Sequence, residues 1–278
     1  MSINQPVDRY INLGHIRLHY LEWGNPDSQV LLMLHGIMGH AHIWDDVSRR
    51  LRDRYHIIAL DQRGHGGSQR PKAPCYGMDD YFRDLASIIQ VQNLKKIILI
   101  GHSMGGRNAI FYAACNPERI DRLILVDVRP GNSEYASKAL RELFINFPLK
   151  APSLEHVTEK IMKLYPRLPE ETAYAIAKYG YRKNRHGIFV PRYDQRMAEL
   201  SETSGYQADD LSVFLRNIKC PTLVMRGEES LFITREDADR VCGLIPQAEY
   251  REIKKASHMP AQENPEEFLK ILCNFLSC

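Results

Sequence analysis

Gly101-His102-Ser103-Met104-Gly105 sets a serine between glycines two residues to either side. Without a Cβ at those places the chain can turn sharply and hold the hydroxyl clear of the turn. The apolar run Ile97-Ile98-Leu99-Ile100 comes immediately before, and a helix-forming stretch through Ala109 to Ala114 follows. That strand, turn, helix order is the setting a G-x-S-x-G nucleophile turn requires; the alternative is a glycine-rich turn with a capping serine. A hydroxyl is a weak nucleophile until a base takes its proton, so the pattern asks for a histidine and an orienting carboxylate farther along. Of the 11 histidines, His258 in Lys255-Ala256-Ser257-His258-Met259-Pro260 follows the last strand-like run and precedes the final helix. Sites of open α/β sheets form in such loops. His35 and His65 sit in glycine turns and read as structural, whereas His40, His42 and His102 fall near the mouth and are candidates for substrate contact.

The elements that must position these residues are short runs rich in Ile, Leu and Val: Val30 to Leu34, Ile57 to Leu60, Lys96 to Gly101, Leu123 to Val128, Thr222 to Arg226 and Glu249 to Ile253. Separated by helix-like segments, they predict a mostly parallel sheet with helices on both faces. Tyr10 to Asn12 and Ile16 to Glu22 alternate apolar and polar around Gly14, as an antiparallel edge hairpin would, giving about eight strands in all. From 129 to 218 the rhythm changes to helical periodicity: Glu134 to Asn146, Ser153 to Leu164, Pro169 to Tyr179 and Ala208 to Arg216, with Ser153 and Asp209 or Asp210 as helix starters. Ninety residues exceed a crossover's needs. The organisation expected is a catalytic core of residues 1–128 and 219–278 with a helical cap at 129–218.

Composition narrows the function. The 278 residues carry 37 Lys and Arg against 34 Asp and Glu, a surplus of +3 too small to point to nucleic acid or anionic lipid. The start lacks a secretory signal pattern and no stretch is apolar enough for a membrane span, so a soluble, cytoplasmic protein is expected. Six scattered cysteines form no C-x-x-C pair, which leaves no sign of a metal site.

Taken together, the His35-Gly36-Ile37-Met38-Gly39 turn, Asp61-Gln62-Arg63-Gly64-His65-Gly66-Gly67-Ser68, the serine turn and His258 with Glu263-Asn264-Pro265 resemble the α/β-hydrolase superfamily over nearly the whole chain. The resemblance implies a serine, acid, histidine order, a cap inserted after the sixth strand, and neither metal nor organic cofactor. It specifies fold more than substrate.

The acid departs from the family's commonest pattern, an aspartate after the seventh strand. There this chain reads Arg226-Gly227-Glu228-Glu229-Ser230, and Ser230 cannot stabilise an imidazolium by charge. A second placement in the superfamily, at the end of the sixth strand, corresponds to Asp127. An aspartate ending an apolar strand is costly to desolvate without a partner, and an imidazole N–H would be one. The alternatives are that Asp127 caps the turn into Arg129-Pro130-Gly131 and that Glu228 or Glu229 reaches His258.

The backbone N–H groups of Ile37 and Met104 are expected to form the oxyanion hole. Gly36, Met38, His102 and Met259 are expected at the substrate, with Trp44, Met104, Phe144 and Phe147 as further wall. Arg63 reads as structural and Arg107 as an ion-pair partner. The leading expectation is a serine hydrolase of a small or medium ester, thioester or lactone, acting as monomer or homodimer on a small-molecule substrate. The alternatives are a C–C bond hydrolase of ring-cleavage products, against which His102 and the acid's placement count, and a slow-turnover ligand receptor. Residues 129–218 hold 14 Lys and Arg against 11 Asp and Glu, leaving the core balanced, and seven of the 14 tyrosines. A partly anionic substrate beneath a basic lid, with Arg182, Lys183 and Arg185 as the contact patch, is therefore expected.

Overall fold

The computed structural model describes residues 5–131, 134–197 and 210–278. Its centre is an eight-stranded sheet of β1 (Val7–Asn12), β2 (Arg17–Trp23), β3 (Val30–Leu34), β4 (His56–Asp61), β5 (Ile97–His102), β6 (Ile120–Val126), β9 (Thr222–Gly227) and β10 (Ala248–Ile253). A separate hairpin pairs β7 (Tyr181–Lys183) with β8 (Phe189–Pro191). The order is β1-β2-β4-β3-β5-β6-β9-β10, antiparallel where β2 meets β1 and β4 and parallel elsewhere. The fold is thus α/β, with the edge hairpin where the alternating segments predict it.

Strand residues divide between two cores because successive side chains point to opposite faces. Leu32, Leu34, Leu99, Leu123 and Leu125 pack with Leu85 and Ile88 of α2 (Met78–Val91), Ile110 of α3 (Met104–Cys115) and, farther along the chain, Val241 of the helix Arg235–Leu244. Leu31, Met33, Ile98, Ile100 and Ile124 pack on the other face with Val47 and Leu51 of α1 (Asp45–Leu51) and with Phe268 and Leu272 of the last helix, Pro265–Leu276. Each such side chain, fully buried, contributes about 1.5–3 kcal/mol.

Between β6 and β9 lie α4 (Glu134–Asn146), α5 (Leu154–Leu164) and α6 (Glu170–Gly180). Ser153 caps α5 by accepting the His156 N–H at 3.2 Å, and Pro169 precedes α6. Leu140, Leu143, Ile161 and Ala173 form a third cluster that also takes in Met259 from the other side of the site, with Ile37, Met38 and Phe232 packed against it. Of the expected helix at Ala208 to Arg216, Ala208 and Asp209 lie outside the described residues; α7 spans Ser212–Leu215, with Asp210 Oδ1 accepting the Ser212 N–H at 2.9 Å.

Strand order fixes the site. The chain leaves β3 toward β4 on one side and β5 lies on the other, so the loops after β3 and β5 flank a topological switch point, where such sheets open a crevice. Beyond it, β5, β6, β9 and β10 are consecutive neighbours, and their carboxyl ends present four loops side by side.

Candidate active site

Ser103 follows β5 with φ 51° and ψ −117°, a strained backbone for a residue with a side chain. The turn closes because glycine stands at both flanks. A Cβ on Gly101 would lie 2.4 Å from the Gly105 carbonyl oxygen, and one on Gly105 would lie 2.6 Å from that of Leu34. The Ser103 N–H donates to the Val126 carbonyl at 3.0 Å, which ties the turn to β6.

Asp127 directly follows β6, its N–H donating to the Met225 carbonyl of β9 at 2.7 Å. Its φ of 48° is left-handed, a region that aspartate tolerates better than most residues. The residue is 1% exposed, so its charge needs partners. It has three: His258 Nδ1–H donates to Oδ2 at 2.7 Å, Ser230 Oγ–H donates to Oδ2 at 2.6 Å, and the Gly227 N–H donates to Oδ1 at 3.0 Å. With its Nδ1 proton on Asp127, His258 Nε2 is left to accept from Ser103 Oγ–H, 3.1 Å away. A hydroxyl, an imidazole and a carboxylate thus stand in hydrogen-bonded sequence, brought from three loops by the adjacency of β5, β6, β9 and β10.

Glu228 and Glu229 do not reach His258. Glu228 accepts from the Lys255 N–H at 3.0 Å and Lys254 Nζ at 3.1 Å, and Glu229 accepts from Arg167 Nε at 2.8 Å. The ring of His258 is also held on its faces: Phe232 stacks on it at 3.9 Å between centroids, and His102 lies tilted against it at 4.7 Å. His102 Nε2–H donates to the His258 carbonyl at 2.7 Å, and burial lowers its pKa to about 3, so the ring is neutral.

The loop after β3 completes the crevice. His35 and His65 hold it as neutral rings, because each accepts a backbone N–H on Nε2. His35 accepts from Gln62 at 3.0 Å while Nδ1–H donates to the Gly36 carbonyl at 2.7 Å. His65 accepts from Met38 at 3.1 Å and donates to the Arg63 carbonyl at 2.9 Å. Burial pushes their pKa values to about 3 and about 4. Arg63 is buried, bidentate to Asp84 at 2.7 Å through Nε and Nη2.

The crevice above Ser103 is lined by Gly36, Ile37, Met38, His102, Met104, His258 and Met259, together with Phe147, Leu140, Leu143, Ile161, Tyr165 and Ile176 from the inserted segment. Met104 is the first residue of α3, where a backbone N–H has no intrahelical acceptor. Trp44 and Phe144 are not in the wall: Trp44 lies in the sheet's core and Phe144 packs against the third cluster without lining the crevice. His40 and His42 line a second cleft, with His19, Asp61 and Arg192, rather than this one. Arg182, Lys183 and Arg185 are exposed on the β7–β8 hairpin, away from the crevice. Among the described residues, the arginines that do line it are Arg107, whose Nη1 donates to the Arg129 and Pro130 carbonyls at 3.1 and 2.8 Å, and Arg129, paired with Asp237 at 3.2 Å. Sequence reasoning missed Arg129, Tyr165, Ser230 and Phe232, since no local motif marks them.

Among the described residues no helix is long and apolar enough to cross a membrane. Residues 29–182 match the family model described as alpha/beta hydrolase fold. A 2-(acetamidomethylene)succinate hydrolase of Mesorhizobium japonicum is 28% identical over 97% of this chain and 95% of its own. A crystal structure of E-2-(acetamidomethylene)succinate hydrolase superposes with a TM-score of 0.89, at 28% identity, over 98% of this chain and all of that one. An sn-1-specific diacylglycerol lipase of Danio rerio is 27% identical over 91% of this chain and 80% of its own. A 2-hydroxy-6-oxo-6-(2'-aminophenyl)hexa-2,4-dienoic acid hydrolase of Metapseudomonas resinovorans is 25% identical over 98% and 91%.

Proposed function

The chain belongs to the α/β-hydrolase family, and from there we propose that it hydrolyses a small carbonyl compound bearing a carboxylate, with Ser103 as nucleophile, His258 as base and Asp127 as the acid that orients the base. The observation that carries this reading is the hydrogen-bonded sequence at the crevice floor, 2.7 Å from His258 to Asp127 and 3.1 Å from Ser103 to His258. Ser103 Oγ attacks the carbonyl carbon while His258 Nε2 takes its proton, and the Asp127 carboxylate stabilises the imidazolium that forms. The charge that develops on the carbonyl oxygen is met by the backbone N–H groups of Ile37 and Met104. His258 returns the proton to the leaving group, and a water activated by the same ring releases the acyl group from Ser103. Helices α4, α5 and α6, whose Leu140, Leu143, Ile161 and Ile176 line the crevice, act as the lid that roofs this chemistry.

Two considerations favour an acidic substrate over the ester expected from sequence. The relatives from Mesorhizobium and Metapseudomonas are named for carboxylic acids, one carrying an acetamido group and the other a 6-oxo group. Arg107 and Arg129 add guanidinium groups to the wall of the crevice, which a carboxylate would seek. The scissile bond is then that of an amide-like group or a C–C bond beside a ketone. The diacylglycerol lipase among the relatives supports a second reading, cleavage of a neutral ester, thioester or lactone.

Turnover by the wild type, Ser103→Ala and Arg129→Met distinguishes these readings on a panel of a vinylogous 6-oxo acid, an N-acyl enamine dicarboxylate and p-nitrophenyl acetate, butyrate and octanoate. The acids are expected to turn over with the lowest KM, and Arg129→Met to raise that KM about tenfold, the worth of one charged hydrogen bond, without changing the neutral esters. Esters as best substrates, indifferent to Arg129→Met, would select the second reading. Turnover of none by the wild type, together with no labelling of Ser103 by a fluorophosphonate, would select a ligand receptor.

A further inference from the structure

We infer that Ser230 is a positioning residue of this machinery: its hydroxyl, donated to Asp127 Oδ2, fixes the carboxylate that in turn holds His258. The inference rests on the hydrolase reading of Ser103, Asp127 and His258 given above.

Three observations converge on it. Asp127 Oδ2 serves two donors at once, His258 Nδ1–H at 2.7 Å and Ser230 Oγ–H at 2.6 Å, while Oδ1 accepts from the Gly227 N–H at 3.0 Å. With both oxygens engaged, the carboxylate cannot rotate about its terminal torsion, which is otherwise broad. Second, the hydroxyl's direction is itself determined. A serine hydroxyl has one proton and two lone pairs. Ser230 Oγ accepts from the N–H groups of Phe232 at 3.2 Å and Ile233 at 3.4 Å, so its proton is left for Asp127.

The third observation is that the same loop holds the base. Phe232, two residues after Ser230, stacks on the His258 imidazole with the rings 27° apart. Arg226 braces the loop from within, its Nε donating to the Ile233 carbonyl at 2.8 Å and its Nη1 to that of Glu228 at 3.1 Å. The segment from Gly227 to Ile233 contributes no charged group to the sequence of proton acceptors, yet it sets the position of two of its three members. Ser230 touches neither substrate nor the reacting atoms; it acts through Asp127. No bond is made or broken at Ser230, and its proton stays on Oγ throughout.

The test compares Ser230→Ala, which removes the donor, with Ser230→Thr, which keeps it. Ser230→Ala is expected to lower kcat about tenfold to a hundredfold, as a misplacement of catalytic groups does, with KM within about twofold. Ser230→Thr should recover most of that loss. The downfield proton NMR resonance of His258 Nδ1–H, which reports its bond to Asp127, should move in Ser230→Ala and stay in Ser230→Thr. That resonance needs no turnover, so it decides the role of Ser230 even if the wild type hydrolyses nothing on the panel. Should Ser230→Ala fail to fold, Ser230→Cys, with a weaker donor, takes its place with the same expectations. Wild-type kcat and an unmoved resonance in the variant lacking the donor would overturn the inference, as would a Thr variant impaired as much as the Ala one.

Discussion

Everything the Asp127 carboxylate does depends on a backbone conformation most residues avoid. At φ 48°, an asparagine would keep the shape and lose the charge, while an alanine would lose both and add strain. Asp127→Asn is therefore expected to fold with stability lowered by about 1–3 kcal/mol, because its NH2 must face a buried donor that a carboxylate oxygen accepted from, and to lower kcat by about 10⁴, the cost of the wrong imidazole tautomer and an unstabilised imidazolium. Steady-state rates and a melting curve check both halves. A rate loss of less than about tenfold would mean that another carboxylate orients His258, although Glu228 and Glu229 are engaged elsewhere. Ser103 and His258 were legible in the sequence because their cues are local: glycines at fixed offsets, a strand before, a helix after. Asp127 needed the argument that a buried charge wants a partner. Ser230 could be read only as a residue unable to be the acid. That it donates to the acid depends on β6 lying beside β9, the two residues being 103 positions apart in the chain, and no spacing rule reports that.

Among the elements, the turn from β5 into α3 is the one the sequence specifies most tightly. Its glycines are there for close approach: a Cβ at Gly101 would meet the Gly105 carbonyl oxygen at 2.4 Å, and backbone cannot give way as a side-chain tip can. Gly101→Ala is expected to lose all hydrolysis and to cost upward of about 2 kcal/mol of stability by overpacking, seen as a fall in the urea midpoint. A variant as stable and active as the wild type would show that the turn is looser than described. Of the inserted segment, α4, α5 and α6 were legible nearly to the residue, since Ser153 and Pro169 mark helix starts and the apolar period is 3.6, whereas the expected helix at Ala208 to Arg216 is described only over Ser212–Leu215 and the β7–β8 hairpin, three residues a strand, left no apolar run to read. What the helices cover was not legible. Exposure on a short hairpin, which removes Arg182, Lys183 and Arg185 from the crevice, and the arrival of Arg129 at its wall both depend on how the segment folds back over the sheet.

For the whole molecule, the nearly balanced charge says less than the number of neutral histidines buried in it. Burial lowers His35 and His102 to about 3 and His40 and His65 to about 4, from an ordinary 6.5. In the unfolded chain these rings take up protons below about pH 6.5, whereas in the folded protein they do not. Their stability contribution is therefore complete above pH 6.5 and is lost as pH falls toward 4. His19 runs the other way: burial, the largest single effect, lowers its pKa, but the hydrogen bonds and charges of Asp61 and Asp8 together outweigh it and raise the pKa. Its contribution is present below pH 6.5 and lost as pH rises through the raised value. Four rings against one predict a melting temperature that drops between pH 6.5 and 4, and a smaller drop in His65→Asn, whose amide can still accept from Met38. A flat profile would contradict the neutral rings that hold the loop after β3. The central claim is that Ser103, activated through His258 and Asp127, is the nucleophile, and covalent trapping tests it most directly. Intact-mass analysis after exposure to a fluorophosphonate, with the adduct mapped by peptide sequencing, should show one modification, on Ser103, none in Ser103→Ala, and a markedly slower one in Asp127→Asn. An unmodified wild type, or an adduct that persists in Ser103→Ala, would contradict it.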